Sequence, residues 1–352
     1  MASVLTAHST SWRMTNLLSD WDQIQPAWDE FVELHSKGSV FHSSPMVQVF
    51  AAAKGHTPMA LAAVTDSGEI LSLLVAVRVQ TLPNVFGSVS SRTVWYAEPL
   101  CYDTPESIES LCELVKEHDR LFQRRALFAE IRPLRASGPE RIALERCGYE
   151  HLDYLNYLLD TTQPLDQIWG RVHDSAQSHV RKCERRGFEF RHLETPESVD
   201  LLYDFLRRTY GRAGIPLADH SLFEAAYKIL KPRNMIELVA VYHGDKPVAA
   251  DSMLLFNKQV FAWYGGSDRM PGVSPAAYLQ WREIVWSCEQ GYERYDFGGA
   301  GWPNIPYGVR DFKASFGGEL VCYGRYRKVY SRWKMALAER AYELGRTVIS
   351  PK

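Results

Sequence analysis

The sequence predicts a mixed α/β chain made of two tandem copies of one order of elements. Three observations predict it. The chain has 352 residues, more than one average domain. A strand–turn–strand pattern appears twice, once in each half. Each occurrence is followed by the same series: strand, helix opening on proline, apolar strand, short helix, strand.

In the first half, Trp21 to Val32 reads as an opening helix. Met59–Val64, the Asp66-Ser67-Gly68 turn and Ile70–Val79 form a hairpin. Arg92–Ala97 is the next strand. A helix starts at Thr104, with Pro105 in its first position and Leu111, Leu114 and Val115 on one face. Leu127–Ile131 is a buried strand, a short helix runs from Pro139 to near Gly148, and a strand over His151–Leu159 closes the half.

The second half opens with helices over Leu165–Arg186 and Val199–Arg208. Ile236–Tyr242, the His243-Gly244-Asp245 turn and Val248–Phe256 form the hairpin, and Gln259–Gly265 the next strand. Ser274 is placed to cap a helix whose first residue is Pro275 and which stops at Gly291. Arg294–Phe297 is a strand, Gly308–Phe316 a short helix, Gly317-Gly318 a break, and Leu320–Tyr326 the closing strand. The expected domains are therefore 13–155 and 156–330. A last helix over 331–352, with Trp333, Leu337, Ala341, Leu344 and Val348 at helical spacing, is expected to pack back on the first domain.

Composition narrows the function classes. With 46% hydrophobic and 23% charged residues, this is an ordinary globular composition. A net charge of −2 argues against binding nucleic acid or membrane through bulk electrostatics. No apolar run approaches the ~18 residues of a membrane span, and Met1–Thr15 lacks a signal-peptide core. Six scattered cysteines without a C-x-x-C pair, and eleven histidines without ligand spacing, predict reduced thiols, no metal site and a cytoplasmic location.

The repeated order resembles a GNAT acyltransferase unit, a mixed sheet with helices on both faces. Three segments of the second half resemble the Fem (FemABX) family and its relatives with BioF2-like acetyltransferase domains. They are Leu165–Phe188 with the basic run Arg181-Lys182-Cys183-Glu184-Arg185-Arg186, then Trp263-Tyr264-Gly265-Gly266-Ser267 with Tyr295-Asp296-Phe297-Gly298-Gly299, and Gly308–Gly318. Their order and spacing match over residues 155–330. The resemblance implies an amide-forming acyl or aminoacyl transferase of cell-wall (peptidoglycan) biosynthesis, with aminoacyl-tRNA as donor and a cell-envelope amine as acceptor. An acyl-CoA N-acyltransferase of exopolysaccharide or lipid modification is the alternative, and an inactive binding module on the same scaffold a third. Neither co-substrate is expected to be held tightly, and the acceptor is a small molecule, glycan or peptide. Peripheral contact with the inner membrane face is compatible with this reading.

The resemblance implies site residues as well. Phe312 and Lys313 fall where the family has a substrate-channel pair with a lysine implicated in transfer. A positioned ammonium would stabilise the tetrahedral oxyanion formed when an amine attacks an ester or thioester. Asp296, ending a buried strand before two glycines, can orient or deprotonate the amine, or satisfy backbone donors in the glycine turn. Trp263 and Tyr264 are expected to line an acceptor site, or to pack as core. Arg269-x-x-Gly272-x-Ser274 is a near match to the loop with which GNAT enzymes hold pyrophosphate at a helix N-terminus. Pro271 removes one of its N–H groups. Arg181, Lys182, Arg185 and Arg186 are candidates for phosphate contact. Two departures weaken the peptidoglycan assignment. The chain has no room for the long helical arm of some members. Met46 and Phe50 also stand where peptidoglycan-specific members carry a tryptophan and, four residues on, a phosphate-binding lysine.

Overall fold

The computed structural model describes residues 11–19, 21–80 and 91–336. In chain order the elements are β1 (Trp12–Asn16), α1 (Trp21–Leu34), α2 (Ser44–Ala52), β2 (His56–Thr65), β3 (Ile70–Gln80), β4 (Ser91–Trp95), β5 (Leu100–Cys101), α3 (Pro105–Phe122), β6 (Phe128–Ile131), α4 (Glu140–Arg146) and β7 (Glu150–Leu152). There follow β8 (Leu155–Asp160), α5 (Leu165–Arg171), α6 (Asp174–Arg185), β9 (Phe188–His192), α7 (Ser198–Ala213), α8 (His220–Leu230), β10 (Ile236–His243), β11 (Lys246–Phe256) and β12 (Gln259–Ser267). The last are α9 (Pro275–Glu289), β13 (Arg294–Gly299), α10 (Gly308–Ala314), β14 (Glu319–Cys322) and β15 (Arg325–Val329).

The chain divides into two units. The first takes residues to Ala51, Gly55–Leu152 and Arg325 onward; the second takes Ala52–Lys54 and Asp153–Gly324. Read edge to edge, the first sheet runs β1-β2-β3-β4-β6-β15-β7 with β5 on β3, and the second β9-β10-β11-β12-β13-β8-β14. Both are antiparallel except at one central parallel pair, β4–β6 in the first and β12–β13 in the second. The predicted duplication is thus present at the level of strand order.

The chain ends of the repeats differ from the expectation. The closing strand foreseen over His151–Leu159 is two strands, β7 in the first sheet and β8 in the second. The strand foreseen over Leu320–Tyr326 splits likewise: β14 pairs with β8, while β15 returns to the first sheet between β6 and β7. The second unit therefore ends at Gly324 rather than 330. Gly324 has φ +73, a conformation glycine adopts without steric cost. The helix foreseen over Leu165–Arg186 is α5 and α6, broken where His173 N–H donates to the Ser315 carbonyl. Residues 332–336 are helical, and the rest of the expected final helix lies outside the described residues.

Packing follows the predicted faces. Thr104 accepts a hydrogen bond from Ser107 N–H at the start of α3, with Pro105 in the first turn. Leu111, Leu114 and Val115 are fully buried with Leu74, Trp95, Ala129 and Ile131 of the sheet. In the second unit, Ile284 and Val285 of α9 and Val180 and Cys183 of α6 pack with Val239, Val241, Met253 and Tyr295. A fully buried aliphatic side chain contributes ~1.5–3 kcal/mol, so these faces fix the sheet that carries the site.

Candidate active site

The second unit's sheet opens where β12 and β13 part. They pair only at Gln259–Arg294, Val260–Tyr295 and Phe261–Asp296. Beyond that point β12 stays paired to β11, while β13 turns through a bulge between Asp296 and Gly299 against β8. Gly298 lies in this bulge at φ +71. A Cβ on Gly299 would stand 2.8 Å from the Tyr154 ring, which explains the second glycine.

Lys313, on α10, reaches this strand end. Its Nζ donates to the carbonyls of Gly298 and Gly299, each at 2.9 Å. Burial pulls its pKa down to about 8, against the opposing fields of Asp296 and Asp251. Neighbouring Phe312 packs edge-on against Phe316 at 5.2 Å, half-buried at the rim of the core. Asp296 is buried, and its Oδ1 accepts from Gly298 N–H at 2.7 Å and Asn156 Nδ2 at 2.9 Å. The carboxylate thus braces the turn whose carbonyl holds Lys313.

Two acids that the sequence reading passed over share the site. Asp251 lies on β11 directly across from Gly265, where a Cβ would stand within bonding distance of its carboxylate. Gly265 is the residue that lets this carboxyl sit between the strands. Burial raises the Asp251 pKa well above the carboxylate range, with Glu283 raising it further and Lys313 opposing. Glu283, fully buried on α9, is pushed up to about 8 by burial. Its Oε2 accepts from Tyr295 OH at 2.6 Å and Gln280 Nε2 at 3.2 Å, and its Oε1 has no hydrogen-bond partner. The signal available in the sequence was a lone aspartate in the apolar run Val248–Phe256 facing a Gly-Gly pair.

Trp263 is the extra residue of a bulge between Ser252 and Met253. The bulge puts Trp263 and Tyr264 on one cluster, with Phe223 of α8 at 5.7 and 5.0 Å from them and Tyr210 of α7 at 5.9 Å from Tyr264. Both rings are half-buried. Gly266 admits α7, since a Cβ there would lie 2.6 Å from the Phe205 carbonyl oxygen.

The Gly272 loop lies at the N-terminus of α9, where Ser274 caps Ala277 N–H as predicted. Gly272 has φ +75, and the Arg186 Nη2 lies 3.8 Å from where its Cβ would be. A pocket of about 390 Å³ adjoins the loop, lined by Arg212, His243, Lys246, Val248, Asp268, Arg269 and Met270. The basic helix is not a single patch. Arg186 reaches the loop, whereas Arg181 bonds Gln177 at 3.0 Å and lies over the Trp169 ring. Lys182 is half-buried and Arg185 exposed on the same helix. Three possible metal donors gather at His192, Glu194 and Glu237, but the Lys231 ammonium lies there, 2.9 Å from Glu237 and 3.2 Å from Glu194.

Residues 171–314 match the acetyltransferase (GNAT) domain family. Fold and match agree: the second unit contains the stretch that matches the GNAT acetyltransferase domain, and the fold of the chain is like that of a tandem GNAT protein. Solved structures of similar fold span nearly the whole chain. FemX shares 15% identity at a TM-score of 0.66, covering 91% of this chain and 98% of its own. The C-terminal domain of a putative lysylphosphatidylglycerol synthetase from Agrobacterium fabrum shares 14% at 0.54, covering 91% and 95%. A tandem GNAT protein from the clavulanic acid biosynthesis pathway shares 11% at 0.53, covering 91% and 99%. At these identities the likeness is one of fold. No curated protein matches the sequence. Among the described residues, no helix is long and apolar enough to cross a membrane.

Proposed function

We propose that the chain forms an amide by transferring an aminoacyl or acyl group to an amine of the cell envelope, with Lys313 as the catalytic cation. The observation that carries this is the Lys313 ammonium held on two carbonyls at the point where β12 and β13 separate. In the reaction the amine nitrogen attacks the ester carbonyl carbon and the carbonyl oxygen becomes an oxyanion. Collapse breaks the carbon–oxygen bond, and the leaving hydroxyl takes up the proton that the amine sheds. Two of the lysine's three N–H bonds are committed to Gly298 and Gly299, leaving one donor for the oxyanion. Asp251, with raised proton affinity beside Lys313, relays the amine proton. Asp296 positions the glycine turn. Trp263, Tyr264 and Phe312 shape the acceptor side.

Aminoacyl-tRNA is the proposed donor, and the Fem-like segments support it. Acyl-CoA is the second reading, favoured by one observation: Arg186 and Arg269 flank the Gly272 loop at the N-terminus of α9, an arrangement suited to pyrophosphate. Pro271 and Pro275 lack N–H groups and so thin the backbone donors there. The test is transfer to a lysyl-peptide amine from charged tRNA and, separately, from acetyl-CoA. Product from charged tRNA alone, insensitive to Arg186→Gln, fits the first reading. Product from acetyl-CoA that Arg186→Gln reduces fits the second, and no product from either refutes both.

A further inference from the structure

The helix that carries Lys313 is held less by packing than by hydrogen bonds from two cations. α10 has seven residues, none of them fully buried, and its N-cap residue Tyr307 offers no side-chain capping bond. A helix this short is marginal without tertiary support. Phe312 and Ala314 pack against the core, and both remain partly exposed. Arg310 and Lys313, three residues apart and so on one helix face, tie α10 to the end of β13 and the loop that follows it. Lys313 takes the carbonyls of Gly298 and Gly299. Arg310 takes four more: its Nε donates to Ala300 at 2.9 Å, its Nη1 to Pro303 at 3.1 Å, and its Nη2 to Trp302 and, at 2.7 Å, to Ile305. The Gly301 carbonyl among them accepts instead from the Leu155 N–H of β8 at 2.9 Å.

Arginine suits this task as lysine does not. A guanidinium presents five N–H donors in one rigid plane, whereas an ammonium has three on a single atom. Four of those five donors are used here, each on a backbone carbonyl. The loop is shaped to receive the fork. Gly301 has φ +82, and a Cβ there would lie 2.9 Å from the Tyr307 ring and 3.5 Å from the Arg310 Nη2. Turning a carbonyl toward a donor turns its whole planar peptide unit. Arg310 therefore fixes the chain directly after the two carbonyls that hold Lys313. Gly298 and Gly299 have no side chains to fix themselves, and glycine is the residue that most needs such outside constraint.

We propose that Arg310 is a positioning residue of this site: its guanidinium fixes the loop after β13 so that the Gly298 and Gly299 carbonyls stay converged on Lys313 and the third N–H of the ammonium stays aimed at the carbonyl under attack. This rests on the reading of Lys313 as the catalytic cation. The test follows Lys313 itself, by NMR titration of protein with isotope-labelled lysines, its signal assigned by its absence in Lys313→Met. Single-turnover transfer and donor binding are measured in parallel for wild type, Arg310→Gln and the milder Arg310→Lys, each checked for a cooperative melt. Released from its two carbonyls into water, the Lys313 ammonium should hold its proton at least ~10-fold more tightly in both variants than in wild type. Transfer at saturating donor should slow at least ~10-fold while the donor's dissociation constant is unchanged, because the loss falls on the transition state. Arg310→Lys keeps the charge without the fork, so its failure to rescue assigns the effect to the fork. A Lys313 titration that stays at its wild-type position in both variants would make Arg310 a loop clamp and overturn the proposal. So would slower transfer that comes wholly from weaker donor binding, or loss of cooperative folding in both variants. If Lys313→Met transfers at the wild-type rate, it is the catalytic reading that fails, and the titration still decides whether Arg310 fixes Lys313.

Discussion

At the scale of single residues, Lys313 has a titration that can be read in stability. Its folded pKa of about 8 lies below the usual lysine value of 10.5 because burial disfavours the ammonium. Between those two values the unfolded chain binds more protons, so this group makes stability rise with pH across pH ~8 to 10.5. Lys313→Met should remove that rise while leaving neutral-pH stability little changed. Relief of the buried charge offsets the two lost hydrogen bonds. Urea unfolding of both proteins across pH 7 to 10.5 measures it, and parallel curves would deny the burial of the ammonium. Lys313, Phe312 and the glycine pairs were legible in the sequence because each sits in a motif of distinctive composition. Asp251 was not, since a lone acid in an apolar strand signals only when the glycine opposite it is known. Pairing across strands is long-range information.

At the scale of elements, the sequence marked hairpins and helix caps well. Turns such as Asp66-Ser67-Gly68 and caps such as Ser274-Pro275 act within a few residues. Strand ownership was hidden, because β7 and β8 form one apolar stretch, as do β14 and β15. The sheet that claims each segment depends on partners far away in the chain. For β15 a buried polar network makes the choice. Asp119 on α3 accepts from Tyr330 OH at 2.6 Å, Tyr149 OH at 2.9 Å and Lys328 Nζ at 2.7 Å. Burial raises the pKa of its carboxyl, but hydrogen bonds from His118, Lys328 and Tyr330 outweigh that and hold it below its ordinary range. Asp119→Ala strands a partly buried lysine and two phenols, and should cost about 3 kcal/mol in chemical denaturation. The contribution of the native carboxylate is full above its ordinary titration and fades as pH falls through its lowered folded value. A loss under ~0.5 kcal/mol would show that the network does not hold the strand.

At the scale of the whole chain, the first sheet takes one sequence-distant strand, β15, while every strand of the second sheet comes from its own unit. The first unit is incomplete without residues from the C-terminal end, because β15 lies inside its sheet rather than at an edge. A chain ending at Gly324 should leave β6 and β7 without their shared neighbour and fail to fold the first unit cooperatively. Amide exchange of the truncated protein measures this. Native-like protection over β6 would show the strand to be dispensable.

The central claim is that the Lys313 ammonium stabilises the oxyanion of acyl transfer, and single-turnover rates of wild type and Lys313→Met between pH 6 and 10 test it most directly. They are measured with whichever of charged tRNA and acetyl-CoA supports transfer to the lysyl-peptide amine. The charged lysine is required, so the wild-type rate should fall as pH rises through about 8. Lys313→Met should be slower by ~10²–10³ at pH 7 and should lack that alkaline fall. A Lys313→Met enzyme that turns over at the wild-type rate, or keeps the same fall near pH 8, would contradict the account.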